Sequence, residues 1–317
     1  MLERAAIFAL TSNVDMAQKV VDYLGVPLRD CAVRHFKDGE IIVDIPESVR
    51  GKNVYVIQST CNPATEKLME LLIFVDAMKR ASAKSITVIT PYYGYSRQDR
   101  KAKAREPITA RLVADMLEVA GIDRIVTVDL HAPQIQGFFS VPADDLSAIP
   151  LFGRYLLQTL KNKDIIVVSP DHGGVTRARR LANILQAPIA IIDKRRPKPN
   201  VAEIMNIIGD VSGKVAVMID DITDTAGTLI AGARAVLDNG AEEVFACVSH
   251  GLLSYPAKDN LVKSCIKQLI ITDTVPLSSE NCCEKIKVVS IAPMIAKVIE
   301  HIELGKPLSV VYDLFNK

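Results

Sequence analysis

Short runs of consecutive apolar, mostly β-branched residues recur at 54–57, 86–89, 125–128, 165–168, 189–192, 215–219 and 244–248, and several of them stop in a polar cluster. A run that is apolar at every position, rather than at every second one, predicts a strand buried on both faces, as in a parallel sheet. Between the runs the spacing becomes helical. Leu68, Leu71, Leu72, Val75 and Met78 share one face behind Asn62-Pro63, which reads as an N-cap followed by proline at the first helical position. The segment 108–120 repeats the pattern and stops at Gly121, and Leu229, Ile230, Ala233, Val236 and Leu237 form a stripe that stops at Gly240. Strands alternating with helices predict an α/β fold of right-handed crossovers, with ligands at the carboxyl ends of the strands, where the polar clusters fall.

Length and composition narrow this reading. The 317 residues predict two domains at roughly 150 residues each. PADDLSAIP at 142–150 interrupts the pattern and marks a boundary, after which strands and helices resume. With 38 Lys+Arg against 37 Asp+Glu the net charge is +1, which removes the whole-chain attraction that non-specific nucleic-acid or anionic-membrane binding needs. No apolar run approaches the roughly 20 residues of a membrane span, and the start lacks the apolar core of a signal peptide, so a soluble cytoplasmic protein is expected. The six cysteines are scattered, contain no C-x-x-C pair and read as small apolar residues in a reducing compartment.

The segment with the most chemical content is VAVMIDDITDTAGT, 215–228. An apolar strand delivers Asp220 and Asp221 to its end, and Asp224, Thr225, Ala226, Gly227 and Thr228 form a turn into the next helix. Small residues let backbone N–H groups approach an anion, threonine hydroxyls add donors, and the helix N-terminus adds a favourable dipole. The turn therefore suits a phosphate. The carboxylates beside it suit vicinal sugar hydroxyls or a cation. In FKDGE, 36–40, Phe36 offers an aromatic face for a base and Asp38 and Glu40 offer acceptors, although Asp38-Gly39 alone is far more often a plain hairpin turn. His131 and Asp171 each follow a strand. Lys194 and Arg196 lie in KRRPKPN, which by itself is a solvated, proline-rich loop.

Taken together, 215–228, FKDGE, PYYGYSRQDRKAKAREPITA (91–110), DLHAPQIQGFF (129–139), SPDHGGVTRAR (169–179) and DKRRPKPNVAE (193–203) resemble the ribose-phosphate pyrophosphokinases of class I, over nearly the whole chain. The resemblance implies two type I phosphoribosyltransferase-like domains, each a mainly parallel sheet flanked by helices. Residues 1–148, joined by the tail 304–317, would form the ATP side, and 149–303 the ribose 5-phosphate side. It implies transfer of the pyrophosphoryl group of MgATP to ribose 5-phosphate, giving AMP and 5-phosphoribosyl 1-diphosphate. Phe36, Asp38, Gly39, Glu40, Arg97 and Gln98 would hold ATP, with FKDGE completing a neighbouring subunit's adenine site. Asp220, Asp221, the turn 224–228 and Arg196 would hold the sugar phosphate, His131 and Asp171 would bind Mg²⁺, with Asp129 as an indirect partner, and Lys194 and Arg196 would act on the transferring group. The same resemblance implies a homo-oligomer, expected as a hexamer. Arg100, Lys101, Lys103 and Arg105 stay open between phosphate contacts and a solvated basic face. The rival functions are a phosphoribosyltransferase, which leaves FKDGE and the Arg97 segment unused, and a non-catalytic regulatory homologue, which would be expected to have disrupted loops. Val14, Tyr255, Val311 and Asp313 depart from the family pattern. The last two lie in a tail that the family places near its phosphate and ADP regulatory site, together with 48–50, so regulation is the property these departures touch.

Overall fold

The computed structural model describes residues 2–195 and 204–311. The chain divides into two compact units, one of Met1–Ser147, Thr274–Pro276 and Ser290–Phe315, the other of Ala148–Asp273, Leu277–Val289 and Asn316–Lys317.

The first unit runs β1 (Ala5–Ala9), α1 (Val14–Leu24), β2 (Ala32–His35), β3 (Ile41–Asp44), β4 (Asn53–Ile57), α2 (Ala64–Arg80), β5 (Ser85–Thr90), α3 (Thr109–Ala120), β6 (Arg124–Val128), a 3-10 turn and β7 (Ala143–Leu146). Five strands form a parallel sheet in the order β1-β4-β5-β6-β7. Residues 54 to 57 are all buried, as the unbroken apolar run requires of a strand covered on both faces. Alternate positions, Ala6 and Phe8, Val54 and Val56, Ile86 and Val88, join α2 and α3 in one core in which Phe8 meets Phe74 edge to face at 5.2 Å between ring centroids. The strands β2 and β3 stand apart as an antiparallel ribbon. At α2 the cap differs from the sequence reading. Pro63, not Asn62, is the N-cap, because its ψ of 105° is extended while its carbonyl already accepts the first intrahelical bond, from Lys67 N.

The second unit runs α4 (Ile149–Thr159), β8 (Ile165–Ser169), α5 (Val175–Leu185), β9 (Ile189–Arg195), β10 (Ile204–Ile208), β11 (Val215–Thr223), α6 (Gly227–Asp238), β12 (Glu243–Gly251), α7 (Ala257–Lys263), β13 (Ile266–Thr272) and β14 (Ile286–Val289). Its seven-stranded sheet has the order β10-β9-β8-β11-β12-β13-β14, and every pair is parallel except β10 with β9. The chain steps from β8 outward to β9 and later returns to the other side of β8 as β11. This reversal opens a crevice between the carboxyl ends of β8 and β11, the usual ligand position in an open α/β sheet.

The last helix, α8 (Ala292–Glu303), belongs to the first unit, which corrects the boundary drawn at 303. Its face of Ala292, Met294, Ile295, Ala296, Val298 and Ile299 is buried and it packs beside α1. Its final residue, Glu303, accepts hydrogen bonds from Asn53 Nδ2 at 2.9 Å and Tyr55 Oη at 2.8 Å. Those contacts are to β4, so sequence adjacency to the second unit is overridden by packing on the first. Among the described residues no helix is long and apolar enough to cross a membrane.

Candidate active site

In the second unit the carboxylate pair sits further inside its strand than the apolar run indicated. The pairing of β11 with β8 ends at Met218↔Val168, but β11 continues beside β12 through Ile222↔His250 and Thr223↔Gly251. Asp220 and Asp221 therefore occupy the stretch of β11 just beyond its last pairing with β8, at the mouth of the crevice. Asp221 is buried and Asp220 partly so. Burial pushes the Asp220 carboxyl up to about 7, Asp221 pushes in the same direction by hydrogen bond and charge, and Arg177 opposes both. Arg177 lies in the first turn of α5, and its Nη1 is 3.3 Å from Asp220 Oδ1 and 3.3 Å from Asp221 Oδ1. Asp220 Oδ1 also accepts from Asp221 N at 2.9 Å.

The turn after β11 has the conformation its sequence implies. Ala226, the N-cap of α6, takes a left-handed conformation at φ 61° and ψ 1°, which bends the backbone so that successive N–H groups can face one anion. Asn260 Nδ2 donates to Thr225 O at 3.1 Å and pins the turn from α7. A Cβ placed on Gly227 would meet nothing nearer than Thr225 Oγ1 at 3.8 Å, so this glycine leaves room beside the helix terminus instead of relieving a clash inside the protein. Asp171, exposed after β8, accepts from Gly174 N at 2.9 Å and so caps the loop that leads into α5. His172 Nε2 lies 3.1 Å from Asp193 Oδ1, the residue before Lys194. The backbone of Lys194 pairs with Met205 in the β9-β10 ladder, whereas Arg196 lies outside the described residues.

In the first unit FKDGE is the tip of the β2-β3 ribbon. Phe36 N donates to Glu40 O at 2.8 Å, and Asp38 Oδ1 takes Glu40 N at 3.1 Å. Gly39 has φ +94°, which a side chain would strain. All five residues are exposed, Phe36 by 53%. The structure shows the plain hairpin, with an aromatic ring and two carboxylates exposed at its tip.

Arg97 and Gln98 are exposed on a loop that is tightly built beneath them. Thr60 Oγ1 accepts from Gly94 N at 2.6 Å, and a Cβ on Gly94 would lie 2.3 Å from Thr60 O, so only glycine fits there. Ser59 Oγ takes Tyr92 N at 3.0 Å. At the far end Thr109 Oγ1 donates to Gln98 Oε1 at 2.6 Å and Ala110 N to Gln98 O at 3.2 Å. Beneath Ser59, Gln58 links Ser12 to Glu70, whose fully buried side chain also accepts from Thr11 and pairs with Lys67 at 2.9 Å. The sequence reading missed this polar support and missed Arg177. His131 is exposed three residues after β6 and two after Asp129, whose Oδ1 accepts from Ser147 Oγ at 3.0 Å. His131 and Asp171 belong to different units.

Residues 5–121 match the N-terminal domain of ribose phosphate pyrophosphokinase, and residues 176–313 match the phosphoribosyl synthetase-associated domain. The ribose-phosphate pyrophosphokinase of Oceanobacillus iheyensis is 55% identical over 308 residues, 97% of this chain and 96% of that protein. The chain belongs to the ribose-phosphate pyrophosphokinase family. The Bacillus subtilis member is 53% identical over 97% of this chain and 96% of its own. The crystal structure of phosphoribosylpyrophosphate synthetase from Mycobacterium smegmatis superposes with a TM-score of 0.91 at 40% identity, covering 96% of this chain and all of that one. Family membership extends to almost the full length, so the fold and the enzyme class are shared, and Tyr255 and Val14 fall at exposed surface positions.

Proposed function

We propose that this chain makes 5-phosphoribosyl 1-diphosphate and AMP from ATP and ribose 5-phosphate, with the nucleotide bound mainly by the first unit and the sugar by the second. The sugar's 1-hydroxyl oxygen bonds to the β-phosphorus, the bond from that phosphorus to the α-bridging oxygen breaks, AMP leaves and the hydroxyl proton is released. The observation that supports this most is the joining, at the end of β11, of a carboxylate pair to an anion-adapted turn, since one side fits ribose hydroxyls and the other a phosphate.

In this reading Asp220 and Asp221 accept from the vicinal ribose hydroxyls, and residues 224–228 hold the 5-phosphate through backbone N–H groups and the Thr225 and Thr228 hydroxyls. Phe36, Asp38, Gly39 and Glu40 contact adenine, reaching a neighbouring copy from the exposed ribbon tip, and Arg97 with Gln98 holds the rest of the nucleotide. Lys194 and Arg196 supply positive charge to the equatorial oxygens of the transferring group. His131 and Asp171 are the donors each unit offers to Mg²⁺. An imidazole and a hard carboxylate oxygen, both exposed, fit an ion that keeps several waters and takes few protein ligands. When bound, the metal neutralises phosphate charge and makes the β-phosphorus a better electrophile. Fixing both substrates in line supplies a large part of the barrier reduction. The active form is a homohexamer.

The test is to mix the protein with Mg²⁺ and ATP, with and without ribose 5-phosphate, and separate the nucleotides. AMP that appears only with the sugar is the expected result, and ADP or no turnover would reject the reading. The intact motifs 193–198 and 220–228 favour catalysis over a regulatory homologue.

A further inference from the structure

We infer that Arg177 is a positioning residue of the ribose site: its guanidinium bridges Asp220 and Asp221 and fixes the two carboxylates as paired acceptors for one sugar. The inference rests on the reading of that pair as the ribose-hydroxyl acceptors and adds the group that makes the pair work.

Consecutive residues of a strand project to opposite faces, so two neighbouring carboxylates do not ordinarily serve one ligand. Here a single nitrogen, Arg177 Nη1, lies 3.3 Å from Oδ1 of each. The bridge comes from another element, the first turn of α5, which reaches β11 because β8 and β11 are sheet neighbours. With its side chain only 18% exposed, Arg177 is held against the crevice and is not a mobile surface cation. Its charge also has a task. Two carboxylates this close, one buried and the other partly so, favour retaining a proton, and a protonated carboxyl donates where a sugar hydroxyl needs an acceptor; Arg177 is the group that opposes this. An arginine at such a place can act in two ways, by ordering the carboxylates or by touching the sugar phosphate itself, and the two predict different energetics.

The experiment is a double-mutant cycle on the full-length enzyme with Arg177→Met, Asp221→Asn and both together, measuring KM for ribose 5-phosphate, KM for ATP and kcat. Arg177→Met is expected to raise KM for ribose 5-phosphate at least tenfold while KM for ATP stays within twofold. On the Asp221→Asn background the same change is expected to add less than threefold, because the partner it acts through is already altered. Arg177→Lys, which keeps the charge, is expected to recover part of the loss, and it carries the test if the methionine variant does not fold. An unchanged KM for ribose 5-phosphate, an equal rise for ATP, or factors that multiply in the double variant would each overturn the inference. If Asp221→Asn alone leaves KM for ribose 5-phosphate unchanged, the underlying reading of the carboxylates fails instead.

Discussion

At the mouth of the crevice beside β8 and β11, the carboxyl of Asp220 is held far from its free state. Burial and Asp221 push it up to about 7. A protonated Asp220 is a weaker acceptor for a hydroxyl, so KM for ribose 5-phosphate is expected to climb as pH falls below about 7, and steady-state kinetics between about pH 6 and 8.5 check it; a flat KM would contradict the assignment. The stability consequence has the opposite sense from that of a salt-bridged aspartate. The folded state holds this proton to higher pH than the unfolded chain does. Its contribution is therefore full below the ordinary carboxylate value of 3.8 and is lost as pH rises through about 7. Asp220→Asn should lose less stability than the parent across that window, as read by thermal melts. At this scale much was legible. Small residues after a paired aspartate announce a tight turn into a helix, and Ala226 and Gly227 form one. Arg177 was not legible, because its meaning lies 43 positions away, across the sheet from α5 to β11. Nor was Gly94, whose need for glycine comes from Thr60 on another strand end.

Among elements, the strands read most easily were those buried on both faces, for they leave an unbroken apolar run. The ribbon β2-β3 leaves none, since none of its side chains is fully buried, and only the FKDGE motif drew attention to it. Edge strand β14 is short and only partly buried, and in β13 the polar pair Lys267 and Gln268 follows the first residue and breaks the apolar run, so neither stood out. The length of β11 was underestimated because Asp220 and Asp221 end the apolar run without ending the ladder to β12. Beyond β9, Lys194 and Arg196 carry a prediction of their own. Changing either to alanine is expected to lower kcat by more than tenfold, a barrier increase of at least ~1.4 kcal/mol, with ATP binding retained. Stopped-turnover kinetics together with nucleotide titration measure both, and an unchanged kcat would remove the residue from the catalytic set.

For the whole molecule, near-neutral charge conceals a division. The crevice of the second unit gathers carboxylates, while basic residues lie at 97–105 and 194–198, so the fields that matter to anionic substrates are local. The pattern break at 142–150 separated two α/β units, but the boundary expected at 303 put α8 in the second, because a helix that returns to pack on α1 leaves no mark in its own periodicity. Assembly is a property of this scale, and light scattering is expected to give six copies of the 34.6 kDa chain; a monomer would leave the exposed Phe36 ribbon without the neighbour proposed for it. Regulation belongs here too. Val311, one of the positions at which the tail departs from the expected family pattern, is buried in the first unit; activity titrated against inorganic phosphate is expected to be flat, and a steep activation would show that the response survives the change.

The central claim concerns which phosphorus is attacked. Following the reaction of ATP, Mg²⁺ and ribose 5-phosphate by ³¹P NMR reads that directly. Pyrophosphoryl transfer predicts that the three ATP resonances give way to an AMP monophosphate signal and a coupled diphosphate pair on the sugar, in equal amounts and only when the sugar is present. Formation of ADP, or of free orthophosphate without the sugar-bound pair, would contradict it.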